Sequence, residues 1–218
     1  MEAQLIPGER RTAHQMVRDS LRRAILDGTL PAGSRLVQAD IAARLRVSTT
    51  PVREALRDLA SEGLIRLDAH RGAVVRETSV HEVREIYLIR RLLEPEAVRQ
   101  AALSLTPETL AALERLQTDL DATRDPARWI ALNREFHRLL NSAGGLHRLA
   151  EILNHLDDNV AVYVNMALRA TEADHLDTTN RYHHQLLEAC RDGDGDSAAK
   201  LAVDHLHQTL QTVEGAVR

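Results

Sequence analysis

Apolar residues recur at helical spacing soon after the N-terminus. Met16, Val17, Leu21, Ile25 and Leu26 fall on one helix face, which Gly28 brings to an end. Leu30-Pro31-Ala32-Gly33 then reads as a turn. A short helix is predicted from Gln38 to Leu45, with Ile41, Ala42 and Leu45 on one face, followed by a tight turn at Arg46-Val47-Ser48. A third helix is predicted from about Thr49 to Glu62. Ser48 or Thr50 is placed to cap it, and Pro51 stands in its first turn, where a missing N–H costs nothing. Beyond Gly63 the rhythm changes to short apolar stretches, Leu64-Ile65 and Ala73-Val74-Val75, around the polar turn Asp68-Ala69-His70-Arg71-Gly72. That is the pattern of a two-stranded hairpin.

From Ser79 onward the pattern is helical throughout. Ser79-Val80-His81-Glu82 is a capping box, and Thr106-Pro107 and Asp125-Pro126 each set a cap residue before a proline at the first helical position. Gly144-Gly145 breaks the chain again. Helices over roughly 146–170 and 175–191 follow, and Gly193-Asp194-Gly195 leads into a last one. The fold class expected is mainly α. An N-terminal winged helix-turn-helix, three helices plus a two-stranded wing, occupies residues 1–78, and an all-α bundle occupies 79–218.

Charge divides at the same place. The first 78 residues carry 13 arginines against 10 acids, a net of +3, which leaves −7 for the rest of a chain whose total is −4. A basic head on an acidic body suits a DNA reader fused to something else. The aromatics are few: Phe136, Trp129, Tyr163 and Tyr182 are scattered, so there is no platform for stacking single-stranded bases. No apolar run reaches the length of a membrane span, the N-terminus has no signal core, and the one cysteine, Cys190, cannot form a disulfide within the chain. A cytoplasmic protein without membrane partners is expected. Cys190 is read as a buried structural thiol.

The second helix of a helix-turn-helix enters the major groove with its N-terminal residues toward base edges. Here those residues are Ser48, Thr49, Thr50 and Arg53, while Val52, Ala55, Leu56 and Leu59 form the buried face. The wing offers His70, Arg71 and Gly72, the glycine allowing the backbone to approach phosphates. Taken singly, Arg35 or Arg53 reads as an ordinary surface arginine, or as one paired within the domain. Five separated stretches occur in order: Leu21-Arg-Arg-Ala-Ile-Leu-Asp-Gly, Pro31-Ala-Gly-Ser-Arg-Leu, Val47-Ser-Thr-Thr-Pro-Val-Arg-Glu-Ala-Leu, Glu62-Gly-Leu-Ile and Arg71-Gly. Together they resemble the DNA-binding domain of the GntR superfamily over most of residues 11–77. The resemblance implies operator binding as a homodimer at a short inverted repeat in double-stranded DNA, with Arg35, Arg53 and the His70–Gly72 wing at DNA-contacting positions. Thr49 departs from the family's usual arginine, which removes a bidentate guanine contact and points to a different half-site.

The body holds nine of the 11 histidines. Asn133 and His137 are four apart and share a helix face, and His183 and His205 lie on two later helices. Three helices can bring one oxygen and three imidazoles together, a first shell for a divalent transition metal with positions left open. Histidines on helices are more often solvated or hydrogen-bonded, and His81, His147, His155, His175, His184 and His207 are read that way. A second set of stretches runs Tyr87-Leu-Ile-Arg-Arg-Leu-Leu-Glu, Asn133-Arg-Glu-Phe-His-Arg-Leu-Leu, His183-His-Gln-Leu-Leu-Glu-Ala, Gly193-Asp and His205-Leu. This set is similar to the FCD effector domain of FadR-type GntR regulators. The resemblance implies a metal held by Asn133, His137, His183 and His205, zinc first, with nickel or manganese as alternatives. Asn133 stands where the family more often has aspartate. A neutral amide leaves the metal charge uncompensated, so weaker metal retention and a stronger pull on an anionic ligand are expected. Arg90 matches a family arginine near the pocket, where its fork suits a carboxylate. The alternative is an intrahelical pair with Glu94.

The leading reading is a ligand-responsive regulator, a repressor by the family's commoner arrangement. A small carboxylate bound at a metal-containing pocket in the helical domain changes its operator affinity. An enzyme using a metal-activated water is the second class, but no general base beyond Glu135 and no nucleophile elbow or phosphate loop is present. A structural site, or metal itself as the signal, is the third.

Overall fold

The structure, a computed structural model, describes residues 12–68, 72–77, 79–170 and 173–216. It divides into two compact units, one containing Thr29–Arg76 and the helix that precedes it, the other beginning at Glu77. The first unit opens with α1 (Ala13–Leu26), started by a reciprocal cap in which the Gln15 N–H donates to Thr12 Oγ1 and the Thr12 N–H to Gln15 Oε1. Helices α2 (Gln38–Leu45) and α3 (Thr49–Ser61) follow the predicted bounds to within a residue. Between them Arg46 takes the left-handed conformation, φ 54°, and its N–H closes on the carbonyls of Ala42 and Ala43, which turns the chain sharply into α3. Val17, Leu21 and Ile25 of α1 are buried, as are Val52, Ala55, Leu56 and Leu59 of α3 and Val74 and Val75 of the sheet.

The predicted wing hairpin is present, and an additional strand joins it: among the described residues the sheet has β1 (Arg35–Leu36), β2 (Ile65–Asp68) and β3 (Gly72–Val75), in the order β1-β3-β2 and antiparallel. Two residues are too few to show a period in the sequence, yet they alternate as a strand should: Leu36 is buried and Arg35 faces out. Pairing of Arg35 with Val74 gives β3 a partner on each side. The cap of α3 also differs. Ser48 is the N-cap, but its side chain makes no cap hydrogen bond.

The second unit contains six helices among the described residues: α4 (Val80–Ser104), α5 (Pro107–Ala122), α6 (Pro126–Ala143), α7 (His147–Ala170), α8 (Ala173–Arg191) and α9 (Gly195–Ala216). The starts of α4, α5 and α6 follow the predicted caps: Ser79 Oγ accepts from the Glu82 N–H, Thr106 Oγ1 from Thr109, and Asp125 Oδ1 from Ala127. One apolar core joins Val98, Leu113, Leu120, Trp129, Phe136, Leu140 and Leu186. A second joins Val83, Ile86, Tyr87, Val160, Leu206 and Val213. Trp129 Nε1 donates to Asn180 Oδ1 at 3.2 Å inside the first core, tying α6 to α8. Cys190 is buried in that core, where desolvation pushes its thiol up to about 11, so the thiol stays protonated and inert.

Gly144 sets how closely α6 approaches α4. A Cβ placed there would lie 2.7 Å from the Ala101 nitrogen and from Gln100 Cβ. Since Gly144 has an ordinary φ of −78°, the constraint is packing alone. Gly144→Ala should destabilise the helical unit by about 1–3 kcal/mol through overpacking, read as a lowered urea midpoint with unchanged slope.

Candidate functional site

Three imidazoles meet in the core of the helical unit. α6 supplies His137, α8 supplies His183 and α9 supplies His205, all buried, and one ring nitrogen from each lies within 4.8 Å of the others. Each projects inward because its helix buries that face: Phe136 and Leu140 flank His137, and Leu186 and Leu187 follow His183. Phe136 stacks on the His183 ring with centroids 4.4 Å apart and fixes its plane.

The protonation of the cluster follows from its neighbours. Gln117, on the buried face of α5, donates from Nε2 to Asp121 Oδ1 at 2.8 Å. Its Oε1 then accepts from His183 Nδ1 at 3.0 Å. With its proton on Nδ1, His183 presents a lone pair at Nε2. That atom faces His137 Nε2 at 3.2 Å, and two ring nitrogens so placed share either a proton or a cation. Burial lowers His137 to about 3, with the Arg90 charge adding to the effect, and it lowers His183 well below its ordinary value, with the other histidines adding to it. Near neutral pH both rings are uncharged and able to ligate.

A cavity of about 60 Å³ opens beside the cluster, lined by Tyr87, Arg90, Asn133, His137, Asp157 and His205 among others. Asn133 Oδ1 is buried and has no hydrogen-bond partner among the described residues. An oxygen left in that condition costs free energy unless something outside the polypeptide satisfies it. The donor set of one amide oxygen and three imidazoles fits a divalent transition metal.

Arg90 lines this cavity from α4, and the alternative reading, a pair with Glu94, is present as well. Arg90 Nε and NH2 reach Glu94 Oε2 at 3.0 and 2.8 Å. A second carboxylate, Asp157 of α7, meets Arg90 NH1 at 2.8 Å. Burial alone would lower the Arg90 pKa, but Asp157 and Glu94 outweigh it and keep the guanidinium charged. The neighbouring Asp158 holds Arg134 at 2.5 Å and Arg138 at 2.7 Å. Of the remaining histidines, His81, His147, His155, His184 and His207 are exposed, as expected. The side chain of His175 lies outside the described residues.

Tyr87 opens a stretch that carries the family resemblance but is not marked there as a site residue, and Gln117 and Asp157 belong to no such stretch, although a signal for them exists. Gln117 interrupts the buried stripe Leu113–Leu120, and Asp157 interrupts Leu153–Val160 at the same spacing. A polar residue in an apolar stripe needs a partner that the sequence does not name.

In the first unit, Ser48, Thr49, Thr50 and Arg53 are exposed at the start of α3, and Arg35 is exposed on β1. Arg35 and Arg53 take part in no ion pair among the described residues. Gly72 is exposed with φ 74°, and nothing lies within 4 Å of the position a Cβ would take there. His70 and Arg71 lie outside the described residues.

The buried histidines carry a pH dependence. His137 has a folded pKa of about 3 against an ordinary 6.5. The unfolded chain therefore binds the extra proton between these values, and the stability that His137 contributes is full above pH 6.5 and lost as pH falls toward 3. Chelator-treated protein should lose about 1.4 kcal/mol per pH unit in this window from this residue, and His137→Gln should flatten the slope by that amount in urea unfolding.

Comparison with known families agrees with both ends of the chain. Residues 13–75 match the model of the bacterial regulatory proteins of the gntR family, and residues 85–208 match the FCD domain. The "Probable D-xylose utilization operon transcriptional repressor" of Paenarthrobacter nicotinovorans is 30% identical over 203 residues, covering 90% of this chain and 87% of that protein. The HTH-type transcriptional repressor RspR of Escherichia coli is 27% identical over 222 residues, covering 98% and 93%. Among solved structures, E. coli McbR/YncC superposes with a TM-score of 0.88 at 25% identity, over 96% of this chain and all of that one. These proteins are regulators of transcription and not enzymes, and so is this chain. It belongs to the gntR family of bacterial regulatory proteins, with an FCD domain following its helix-turn-helix.

Proposed function

We propose that the chain is a repressor that binds operator DNA as a homodimer and responds to a small carboxylate held at a metal centre. Residues 1–78 form the reading domain and residues 79–218 the sensing and dimerising domain. Arg35, Ser48, Thr49, Thr50, Arg53, His70, Arg71 and Gly72 meet an inverted repeat. Asn133, His137, His183 and His205 hold the metal, zinc first. The observation that carries this reading is the orphaned Asn133 oxygen beside three buried imidazoles. When bound, the metal supplies a Lewis-acidic position for an anionic ligand. Gln117 orients His183, Phe136 fixes its ring plane, and Arg90 offers positive charge at the cavity wall. The four ligating residues carry no negative charge, so an anion is the natural counterpart of the metal.

Size narrows the ligand. An apolar cavity of about 150 Å³ holds benzene, and this one is about 60 Å³. The smallest carboxylates, such as formate and acetate, are therefore the first to test. No helix among the described residues is long and apolar enough to cross a membrane, and a cytoplasmic site of action follows from binding DNA.

Metal-stripped protein should melt at a higher temperature with zinc, nickel or manganese, and higher still when a small carboxylate is added, because each ligand binds the native state alone. His183→Ala should abolish both shifts, and Asn133→Asp should hold zinc more tightly in chelator competition. No metal-dependent shift in the wild type would remove the metal from this reading. For the DNA end, operators selected from a random duplex library should lose about 1–3 kcal/mol of affinity with Arg53→Ala. Unchanged binding would remove Arg53 from the interface.

A further inference from the structure

Asp157 occupies an expensive position. It follows Leu153 by four residues and precedes Val160 by three, and both the leucine and the valine are fully buried. A carboxylate on the core stripe of a helix must be compensated, and Arg90 compensates it. Yet Arg90 already has a carboxylate. Glu94, one turn away on the same helix, takes the Nε and NH2 edge of the guanidinium, and α4 alone can hold that pair. Asp157 takes NH1 from across the bundle. Of these two acids, only Asp157 lines the cavity.

Two carboxylates share one guanidinium, and each limits what the other gains from it. Asp157 is the more loosely held of the two. Its side chain is 16% exposed against 3% for Glu94. Its pKa is raised by burial, with Arg90 and Arg134 opposing the rise and Glu94 and Asp158 adding to it. Beside it Tyr87 is fully buried, and its hydroxyl has no hydrogen-bond partner among the described residues. Tyr87 lines the same cavity, and its ring lies under the Arg90 guanidinium at 5.1 Å. Arg90 NH1 and Tyr87 Oη are thus two donors beside one small space, with Asp157 standing on the first.

From this geometry we infer that Asp157 is the built-in occupant of the effector's anion subsite, and that an incoming carboxylate reaches Arg90 by displacing it. The inference rests on the proposed effector pocket and adds its regulation. Displacement removes the Arg90–Asp157 bridge between α4 and α7, while Asp158 keeps α7 fastened to Arg134 and Arg138 of α6. The apolar contacts with Val160 and Leu206 remain, and what is lost is the polar tie that α7 gives to α4. That helix is the first element after the reading unit in chain order, and its seating is what an effector would change. An empty pocket keeps α4 latched, and a filled one releases it. A ligand acts only through such a difference between two arrangements.

Acetate, among the smallest carboxylates, serves as the probe. Its affinity for full-length protein, with and without zinc, is measured by calorimetry for wild type, Asp157→Asn, Asp157→Glu, and the double variant Arg90→Gln with Asp157→Asn. The asparagine matches the aspartate in shape and leaves Arg90 with one carboxylate. It should bind acetate about tenfold more tightly or better, the size of a regained charge-assisted hydrogen bond. Asp157→Glu, which keeps the competing charge, should stay within a few-fold of wild type, and the double variant should lose the gain. Acetate should also release selected operator DNA from Asp157→Asn at a correspondingly lower concentration. The inference is overturned if Asp157→Asn binds acetate no more tightly than wild type, if Asp157→Glu gains equally, or if the gain survives loss of Arg90. Melting with zinc alone separates the two readings. Stabilisation by zinc with no gain in Asp157→Asn removes the latch and keeps the metal. A gain without any zinc effect removes the metal and keeps the latch.

Discussion

An imidazole nitrogen taken out of water must be matched by a hydrogen-bonding partner or a cation, and the helical unit is built around three imidazoles that are taken out together. Everything nearby serves that demand. α5 contributes Gln117 to set the tautomer of His183, and α6 contributes both His137 and the Phe136 ring that stacks on His183. Because burial keeps His137 and His183 uncharged, they can act as ligands and not as cations. The core is therefore specified twice, by apolar stripes that bring the helices together and by a polar set that accepts few arrangements of them.

A charged layer lies against this cluster. Arg90, Arg134 and Arg138 from α4 and α6 meet Glu94, Asp157 and Asp158, so the positive and negative charges balance. Buried ion pairs of this sort add little to stability, and their better-attested use is to fix register or to switch. The adjacent acids Asp157 and Asp158 grip two different helices, which gives α7 two separable attachments. A divalent cation held beside a layer that is already balanced would bring charge with no counterpart among these side chains.

The DNA-reading unit is legible in the sequence almost residue by residue, because helix caps, breakers and tight turns are local signals. The bounds of α2 follow directly from its apolar face and from the turn at Arg46. The third strand is not legible, since Arg35–Leu36 is defined by its partner Val74 and not by its own pattern. In the helical unit the starts of α4, α5 and α6 follow capping residues, and the histidine face follows from spacing together with family resemblance. The partners of Arg90 are only half legible. Glu94 lies one turn away and can be found by counting. Asp157 lies far along the chain on α7, and only the packing of α7 on α4 brings it there. Long-range polar pairing is a property of the assembled bundle, and periodicity within one helix carries no record of it.

Trp129 is the only tryptophan in the chain, it is buried, and it lines the cavity beside the histidines with its indole N–H bonded to Asn180. The intrinsic ultraviolet emission of this protein therefore has a single dominant source, and that source sits at the cavity wall. Anything that enters the cavity changes the surroundings of that one indole, with no dye or label attached.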